Sequence, residues 1–88
     1  MNEDAQGNQP DQTGELTFGQ KAVGITFNPG GSEEVNECKR TFAKAIDQMN
    51  DLRSSEEMSP GKARHISIAI TEMESAQMRA VKAITWRG

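Results

Sequence analysis

The stretch that decides the fold is Ile66–Trp86, ISIAITEMESAQMRAVKAITW. It contains neither Gly nor Pro and consists mostly of good helix-forming residues. Apolar or small side chains recur along it at the spacing of one helical face: Ile66, Ala69, Ile70, Met73, Ala76, Ala80, Val81 and Ile84. A second apolar set, Ile68, Met78, Ala83 and Trp86, lies off that stripe. We therefore expect one long helix that needs more than one partner helix to bury both sets.

A second helix is predicted upstream of this stretch. Ser32 has the features of a helix N-cap, and the apolar positions that follow it step by three and four: Val35, Cys38, Phe42, Ala45, Ile46, Met49 and Leu52. Ser59 followed by Pro60 marks another helix start, with the proline at the first helical position. The sequence therefore predicts an all-α fold, an antiparallel hairpin with helices at about residues 32–53 and 60–86.

The size of the chain points to assembly. A single core built from 88 residues is marginal without a metal, disulfides or oligomerisation. The one cysteine, Cys38, excludes an intrachain disulfide, and with His65 as the one histidine the sequence lacks the ligands of a structural zinc site. We therefore expect copies of the hairpin to form an oligomeric helical bundle. No apolar run approaches the roughly 18–20 residues of a membrane span.

The first fifteen residues differ in composition from the rest of the chain. The segment MNEDAQGNQPDQTGE (1–15) holds four acidic residues and no basic one, and Met1 and Ala5 are its apolar residues. Such a segment cannot offset its ordering entropy by burial, so we expect a disordered acidic tail. Residues 16–88 then form the folded domain.

The segment Leu16–Gly31, LTFGQKAVGITFNPGG, is predicted to be a short N-terminal loop. It has four glycines and no sustained period, and residues 28–31, Asn-Pro-Gly-Gly, indicate a turn. Two interpretations are open. In the first interpretation, the loop packs three side chains into the helical core: Phe18, Ile25 and Phe27. In the second, the loop offers backbone amides and an aromatic ring to a ligand.

The sequence contains no recognisable set of catalytic residues. His65 has no Cys or Ser nucleophile at a spacing typical of a catalytic pair. Glu72 and Glu74 are two residues apart, so their side chains point to different sides of a helix. The basic residues of the second helix are spread around it, which argues against DNA or RNA binding. A small polyanion held between copies needs only a few Lys or Arg, an aromatic ring and loop amides. The sequence contains all of these.

Three stretches resemble a known family: FGQKAVGITFNPGG (18–31), VNECKRTFAKAIDQMNDLR (35–53) and ISIAITEMESAQMRAVKAITW (66–86). They are similar to the helical-hairpin domain shared by two groups of phage immune-evasion proteins, the anti-CBASS cyclic-oligonucleotide sponges and the anti-Thoeris cyclic ADP-ribose sponges. The similarity covers residues 16–86. Arg79 departs from it, since a large aromatic residue is expected at that position.

The resemblance implies a protein that sequesters cyclic di- or trinucleotides, such as cyclic GMP–AMP, without degrading them. It further implies dimers that combine into a hexamer, action in the cytoplasm of the infected bacterial host, and no cofactor, metal, membrane, DNA or RNA partner. Cyclic dinucleotides would lie between two protomers, and cyclic trinucleotides near the three-fold axis. Two alternatives stay open: a sponge for cyclic ADP-ribose isomers, and a helical assembly module with no small ligand.

The resemblance also suggests roles for individual residues. Lys39 would contact a phosphate, Phe27 or else Phe18 would stack on a base, and Asn28 would hydrogen-bond a base edge or ribose. Each has a structural alternative: a solvated surface lysine, core-filling rings, and an asparagine that only forms the turn.

Two further candidates lie in the second helix. Arg64 matches a basic position of the trinucleotide site, and Thr71 could hydrogen-bond a phosphate or base. The structural alternative for both is a contact at the helix surface or between helices.

Overall fold

The computed structural model describes residues 15–88, and the expected acidic tail therefore lies almost wholly outside the described part. Three α-helices follow one another, α1 (Phe18–Ala22), α2 (Glu33–Asp51) and α3 (Pro60–Ile84), with a turn of 3₁₀ helix at Leu52–Ser54 after α2. The described residues contain no strand, which confirms the all-α prediction.

Helices α2 and α3 form the predicted hairpin. The Ser32 hydroxyl accepts a hydrogen bond from the Val35 amide at 3.2 Å, and the Ser59 hydroxyl caps α3 in the same way, with Pro60 in the first turn. The core between the helices is formed by Val23, Ala43, Ile46, Ile66 and Ile70, and partly buried side chains including Phe42, Met49, Met58 and Met73 pack against it.

The segment predicted as a loop contains the short helix α1. Thr17 and Gln20 form a capping box: the Gln20 amide donates to the Thr17 hydroxyl at 3.0 Å, and the Thr17 amide donates to Gln20 Oε1 at 2.8 Å. The loop prediction missed the Thr-x-x-Gln spacing that starts this helix. Gln20 is fully buried, and its Nε2 has no hydrogen-bond partner among the described residues, which is a local cost of docking the helix.

Gly19 sets how closely α1 packs on α2. A Cβ atom at this position would lie 2.1 Å from the Ala43 carbonyl oxygen, so no other residue fits without moving a backbone. The Gly19 amide also donates a hydrogen bond to Asp47 Oδ1 at 2.6 Å. Glycine is required here by the close approach of two helices, and the approach places the following turn beside α2.

The buried positions differ in detail from those that the apolar spacing predicted. On α3, Ile66 and Ile70 are buried, but Gln77 is buried where Ala76 was expected, and Ala76 is exposed. On α2, Lys39 and Ala43 are buried with Val35 and Ile46, while Leu52, in the 3₁₀ turn that follows, is exposed. Lys39 and Ala43 are buried because the segment 17–28 packs on that side of α2, and this contact cannot be read from the helical period.

The second apolar set lies outside the buried stripe of α3, and its last member, Trp86, follows the end of that helix. Ile68, Met78 and Trp86 are 36%, 63% and 65% exposed in the single chain. No helix in the described part of the chain is long and apolar enough to cross a membrane.

Candidate functional site

The candidate site begins with the turn that follows α1. Gly24 has a φ of +62° and forms a Schellman motif: its amide donates to the Lys21 carbonyl at 3.1 Å, and the Ile25 amide donates to the Gln20 carbonyl at 2.9 Å. This position of the turn requires a left-handed backbone conformation, which glycine adopts without strain. The turn directs the carbonyl groups of Gly24 and Phe27 toward α2.

Lys39 of α2 meets these carbonyl groups. Its Nζ donates hydrogen bonds to the Gly24 oxygen at 2.9 Å and to the Phe27 oxygen, and it lies 5.5 Å from the centre of the Phe27 ring. The Lys39 side chain is 5% exposed. A buried ammonium group needs hydrogen-bond acceptors to offset its desolvation. Lys39 therefore holds the turn against α2 by its hydrogen bonds to the carbonyl groups of the turn. Lys39 is therefore not a solvated surface lysine.

Burial also affects the ionisation of Lys39 and its neighbour. Desolvation lowers the pKa of the Lys39 ammonium group, and the nearby Cys38 opposes that shift. Desolvation raises the pKa of the Cys38 thiol, and the charge of Lys39 opposes it in turn. The thiol is therefore kept in its neutral form near neutral pH, and the backbone carbonyl groups are the acceptors for the ammonium group.

Phe27 points outward rather than into the core. Its side chain is 70% exposed, so the expectation that Phe27 fills the helical core is wrong for the single chain. Ile25 is the residue of this turn that packs on the core. An aromatic ring that is held in place by a buried lysine yet left open to solvent is suited to stacking on a planar ligand.

An open groove runs beside Phe27 and Lys39, between the turn and α3. Its volume is about 520 Å³, within the range of roughly 300–1,000 Å³ that is usual for small-ligand sites. Its polar and aromatic lining comes from Lys21, Phe27, Lys39 and Gln77. No Asp or Glu among the described residues lines it. The groove is therefore cationic and aromatic, a combination suited to a phosphate ester with a base.

The structure separates the other predicted residues from this groove. Phe18 is 43% exposed, and its ring lies 5.6 Å from the guanidinium carbon of Arg53, near the end of α2. Asn28 Nδ2 donates to the Ser32 carbonyl and to Asn36 Oδ1, both at 2.9 Å, so both hydrogens of its amide nitrogen are used in closing the turn before α2. Only Phe27 and Lys39 of the six predicted residues meet in the groove.

Arg64 and Thr71 lie on α3 and are exposed. Their separation of seven residues places them on one side of the helix, two turns apart, on the same outward face as Ile68. They belong to a surface that the groove does not include.

Two groove residues were not predicted from the sequence. Lys21 belongs to α1, and the capping-box spacing that reveals this helix would have placed it one turn before the glycine turn. Gln77 is 5% exposed and lies four residues after Met73, so helical spacing would have placed it on the buried stripe if polar residues had been included in that stripe.

A second groove, of about 480 Å³, lies at the end of α3 between Arg79, Lys82, Ala83 and Trp86, with the Lys82 Nζ 6.0 Å from the centre of a Trp86 ring. It has no buried polar group, in contrast to Lys39 and Gln77 of the first. The first groove is therefore the better candidate site.

The fold and this groove define the chain as a helical-hairpin protein with a cationic, aromatic candidate site. A family model described as "Acb2/Tad1, hairpin domain" matches residues 20–85. The chain belongs to this family of phage sponges for cyclic nucleotides, which includes the anti-CBASS and anti-Thoeris proteins. Comparisons with curated proteins and with solved structures gave no match.

Proposed function

We propose that this protein binds cyclic di- or trinucleotides of bacterial anti-phage signalling, cyclic GMP–AMP among them, and withholds them without degrading them. The observation that carries the proposal is the meeting of the buried Lys39 ammonium group and the exposed Phe27 ring at one groove. A lysine can neutralise a phosphodiester, and a ring can stack on the adjoining base. The setting would be the cytoplasm of the infected host.

The proposal includes assembly of several chains, as dimers that combine into a hexamer. The groove is open on one side, and three large apolar side chains in α3 or just after it are exposed: Ile68, Met78 and Trp86. Exposed large apolar side chains favour contact with another copy. A groove closed by a second chain would shield the ligand from water, which strengthens each ionic contact.

Binding and fate of the ligand can be tested together. We expect native mass spectrometry of the protein, incubated with a panel of cyclic dinucleotides, cyclic trinucleotides and cyclic ADP-ribose isomers, to show an oligomer that retains a cyclic nucleotide. Denaturation should release that nucleotide with unchanged mass. A linear product would instead indicate a phosphodiesterase. An oligomer that retains nothing from the panel would indicate a ligand-free assembly module.

The two phenylalanines provide a matched comparison for the site itself. Phe27→Ala removes the ring beside the groove, and Phe18→Ala removes a ring packed near Arg53 outside it. We expect Phe27→Ala to raise the dissociation constant for a dinucleotide by roughly tenfold to a hundredfold, the range for loss of one stacked base. Phe18→Ala should change it less than threefold. The reverse order would assign the stacking role to Phe18.

Arg64 and Thr71 are proposed for a separate trinucleotide site, because they share an exposed helix face outside the groove. Arg64→Ala should weaken binding of a cyclic trinucleotide and leave binding of a cyclic dinucleotide unchanged. Equal weakening of both ligands would exclude two independent sites.

A further inference from the structure

Gln77 is a buried polar residue that neither the turn nor the core uses. It lies in α3, is 5% exposed, and lines the groove together with Phe27 and Lys39. The other α3 residues of this groove, Met78 and Val81, are apolar. Gln77 is therefore the side chain through which α3 can form hydrogen bonds to a ligand in the groove.

The Gln77 carboxamide has no hydrogen-bond partner among residues 15–88, although it offers two N–H donors and an acceptor oxygen. Within the same range, Gln20 Nε2 is the one unpartnered side-chain atom that is sealed from solvent. The amide atoms of Gln77 are therefore accessible, while most of the residue is buried. An unpaired amide in such a place is costly, and a ligand in the groove that pairs with it would remove that cost.

The chemistry of this group favours the edge of a base over a phosphate. A carboxamide is neutral, so it adds no charge to neutralise a phosphodiester, and Lys39 supplies a charge in the same groove. A carboxamide presents a donor and an acceptor side by side, and glutamine pairs in this way with the amino group and the neighbouring ring nitrogen of adenine. The exposed Phe27 ring lines the same groove and can stack on such a base.

We propose that Gln77 determines base specificity, and that its carboxamide forms hydrogen bonds to the edge of a purine base of the bound cyclic nucleotide. The inference rests on the proposed function and names the part of the ligand that α3 recognises. Every chain has its own Gln77, so a dinucleotide held between two chains would meet one such carboxamide for each of its bases.

The test combines a change in the protein with a change in the ligand. Gln77→Leu removes the hydrogen-bonding group and keeps a buried side chain, and Gln48→Leu makes the same change at an exposed glutamine of α2 outside the groove. The probes are cyclic GMP–AMP, cyclic di-AMP and cyclic di-GMP. A fourth probe is an analogue of the tightest of these whose purines lack the exocyclic amino or oxo group. Calorimetric titrations give each dissociation constant.

We expect the wild-type protein to bind the analogue roughly tenfold more weakly than its parent, because the Gln77 amide is then left unpaired. Gln77→Leu should weaken binding of the parent by about the same factor and should no longer distinguish parent from analogue. Gln77→Ala, with a smaller side chain in the groove, should lose the same preference. Gln48→Leu should keep the affinity and the preference of the wild type.

Thermal unfolding separates this role from a structural one. The melting temperature of ligand-free Gln77→Leu should equal or exceed that of the wild type, because the variant loses no hydrogen bond within residues 15–88 and buries an apolar side chain. A glutamine that held the fold together through its amide would instead give a variant that melts at a lower temperature.

Three results would overturn the inference, and they can be told apart. If the wild-type protein binds no cyclic nucleotide, the proposed function fails and the role of Gln77 fails with it. If the wild type binds, but Gln77→Leu and Gln77→Ala still prefer the parent over the analogue, Gln77 does not read the base and the proposed function stands. If both variants dissociate the oligomer, Gln77 belongs to a contact between chains rather than to the ligand.

Discussion

The two halves of the segment between residues 17 and 28 contact the hairpin in different ways. The anchoring half, residues 17–23, is closed against α2 through the buried Gly19 and Gln20 and the core residue Val23. The groove half, residues 24–28, leaves the Phe27 ring exposed and is held by Lys39. The comparison shows that tight packing fixes the position of the segment, and that a polar contact holds the part that borders the groove.

This comparison predicts a descending series of effects on the free energy of unfolding. Substitutions in the anchoring half should reduce stability, and substitutions at the tip of the groove half should reduce ligand binding alone. All variants should be compared at one protein concentration, because assembly makes the apparent stability depend on concentration.

The largest loss is expected for Gly19→Ala. Its new Cβ would lie 2.1 Å from the Ala43 carbonyl oxygen, so α1 must move away from α2. We expect a loss of about 3 kcal/mol, the upper part of the usual range for overpacking, measured by urea denaturation. Gly30→Ala is the control, since a Cβ there meets no heavy atom within 4 Å. Equal stability of the two variants would mean that α1 is not anchored by close packing.

Lys39→Met should have the next largest effect. The substitution keeps a long flexible side chain but removes the hydrogen bonds to the Gly24 and Phe27 carbonyl groups. Loss of these two charge-assisted hydrogen bonds should cost about 2 kcal/mol. Hydrogen exchange of the Phe27 amide, which donates to the Gly24 carbonyl, should become faster if the turn loosens.

Lys44→Met is the control for Lys39→Met because Lys44 is an exposed lysine of the same helix. Its stability should stay within about 0.5 kcal/mol of the wild type. Wild-type stability and unchanged exchange in Lys39→Met would show that Lys39 does not hold the turn. Loss of the oligomer in Lys39→Met would place Lys39 at the contact between chains rather than at the ligand.

Asp47→Asn tests the polar contact of the anchoring half. The Asp47 carboxylate accepts the Gly19 amide at 2.6 Å, and asparagine keeps an acceptor while losing the charge. We expect a loss of about 1 kcal/mol, because hydrogen bonds to charged groups are stronger than neutral ones. Asp51→Asn, at an exposed aspartate one turn further along α2, should have no measurable effect. If both variants unfold alike, the carboxylate does not contribute to anchoring.

The smallest change in stability is expected for Phe27→Ala. Its ring contributes little to burial, so the unfolding free energy should stay within about 0.5 kcal/mol of the wild type. The loss of dinucleotide affinity proposed above should nevertheless remain. A variant that loses stability and affinity together would show that the ring packs against another part of the assembly.

Much of the fold could be predicted from the sequence because its signals are local. The Ser32 cap, the Ser59–Pro60 start and the long stripe from Ile66 each act within one or two helical turns. The Thr17–Gln20 capping box is an equally local signal, but it did not enter the prediction, and α1 was therefore predicted as a loop. The helix boundaries followed from chemistry within a few residues of each end.

The candidate site was predictable only in part. Lys39 and Phe27 were both predicted from the sequence, and both line the groove. Their burial, however, is the reverse of what is usual for their residue types: the phenylalanine is exposed and the lysine is buried. Lys21 and Gln77 are more than fifty residues apart in the chain and reach the same groove from different helices, so no local spacing relates them.

By itself, the sequence determined the hairpin, its caps and the excess of apolar surface on α3, since backbone hydrogen bonding and helical spacing depend on near neighbours. Tertiary structure decided that Gly19 lets α1 approach α2, that Lys39 is buried against two carbonyl groups, and that Phe27 remains open. Those outcomes depend on which surfaces pack together, because Lys39 is buried and holds the turn beside the groove only when the segment 17–28 packs against α2.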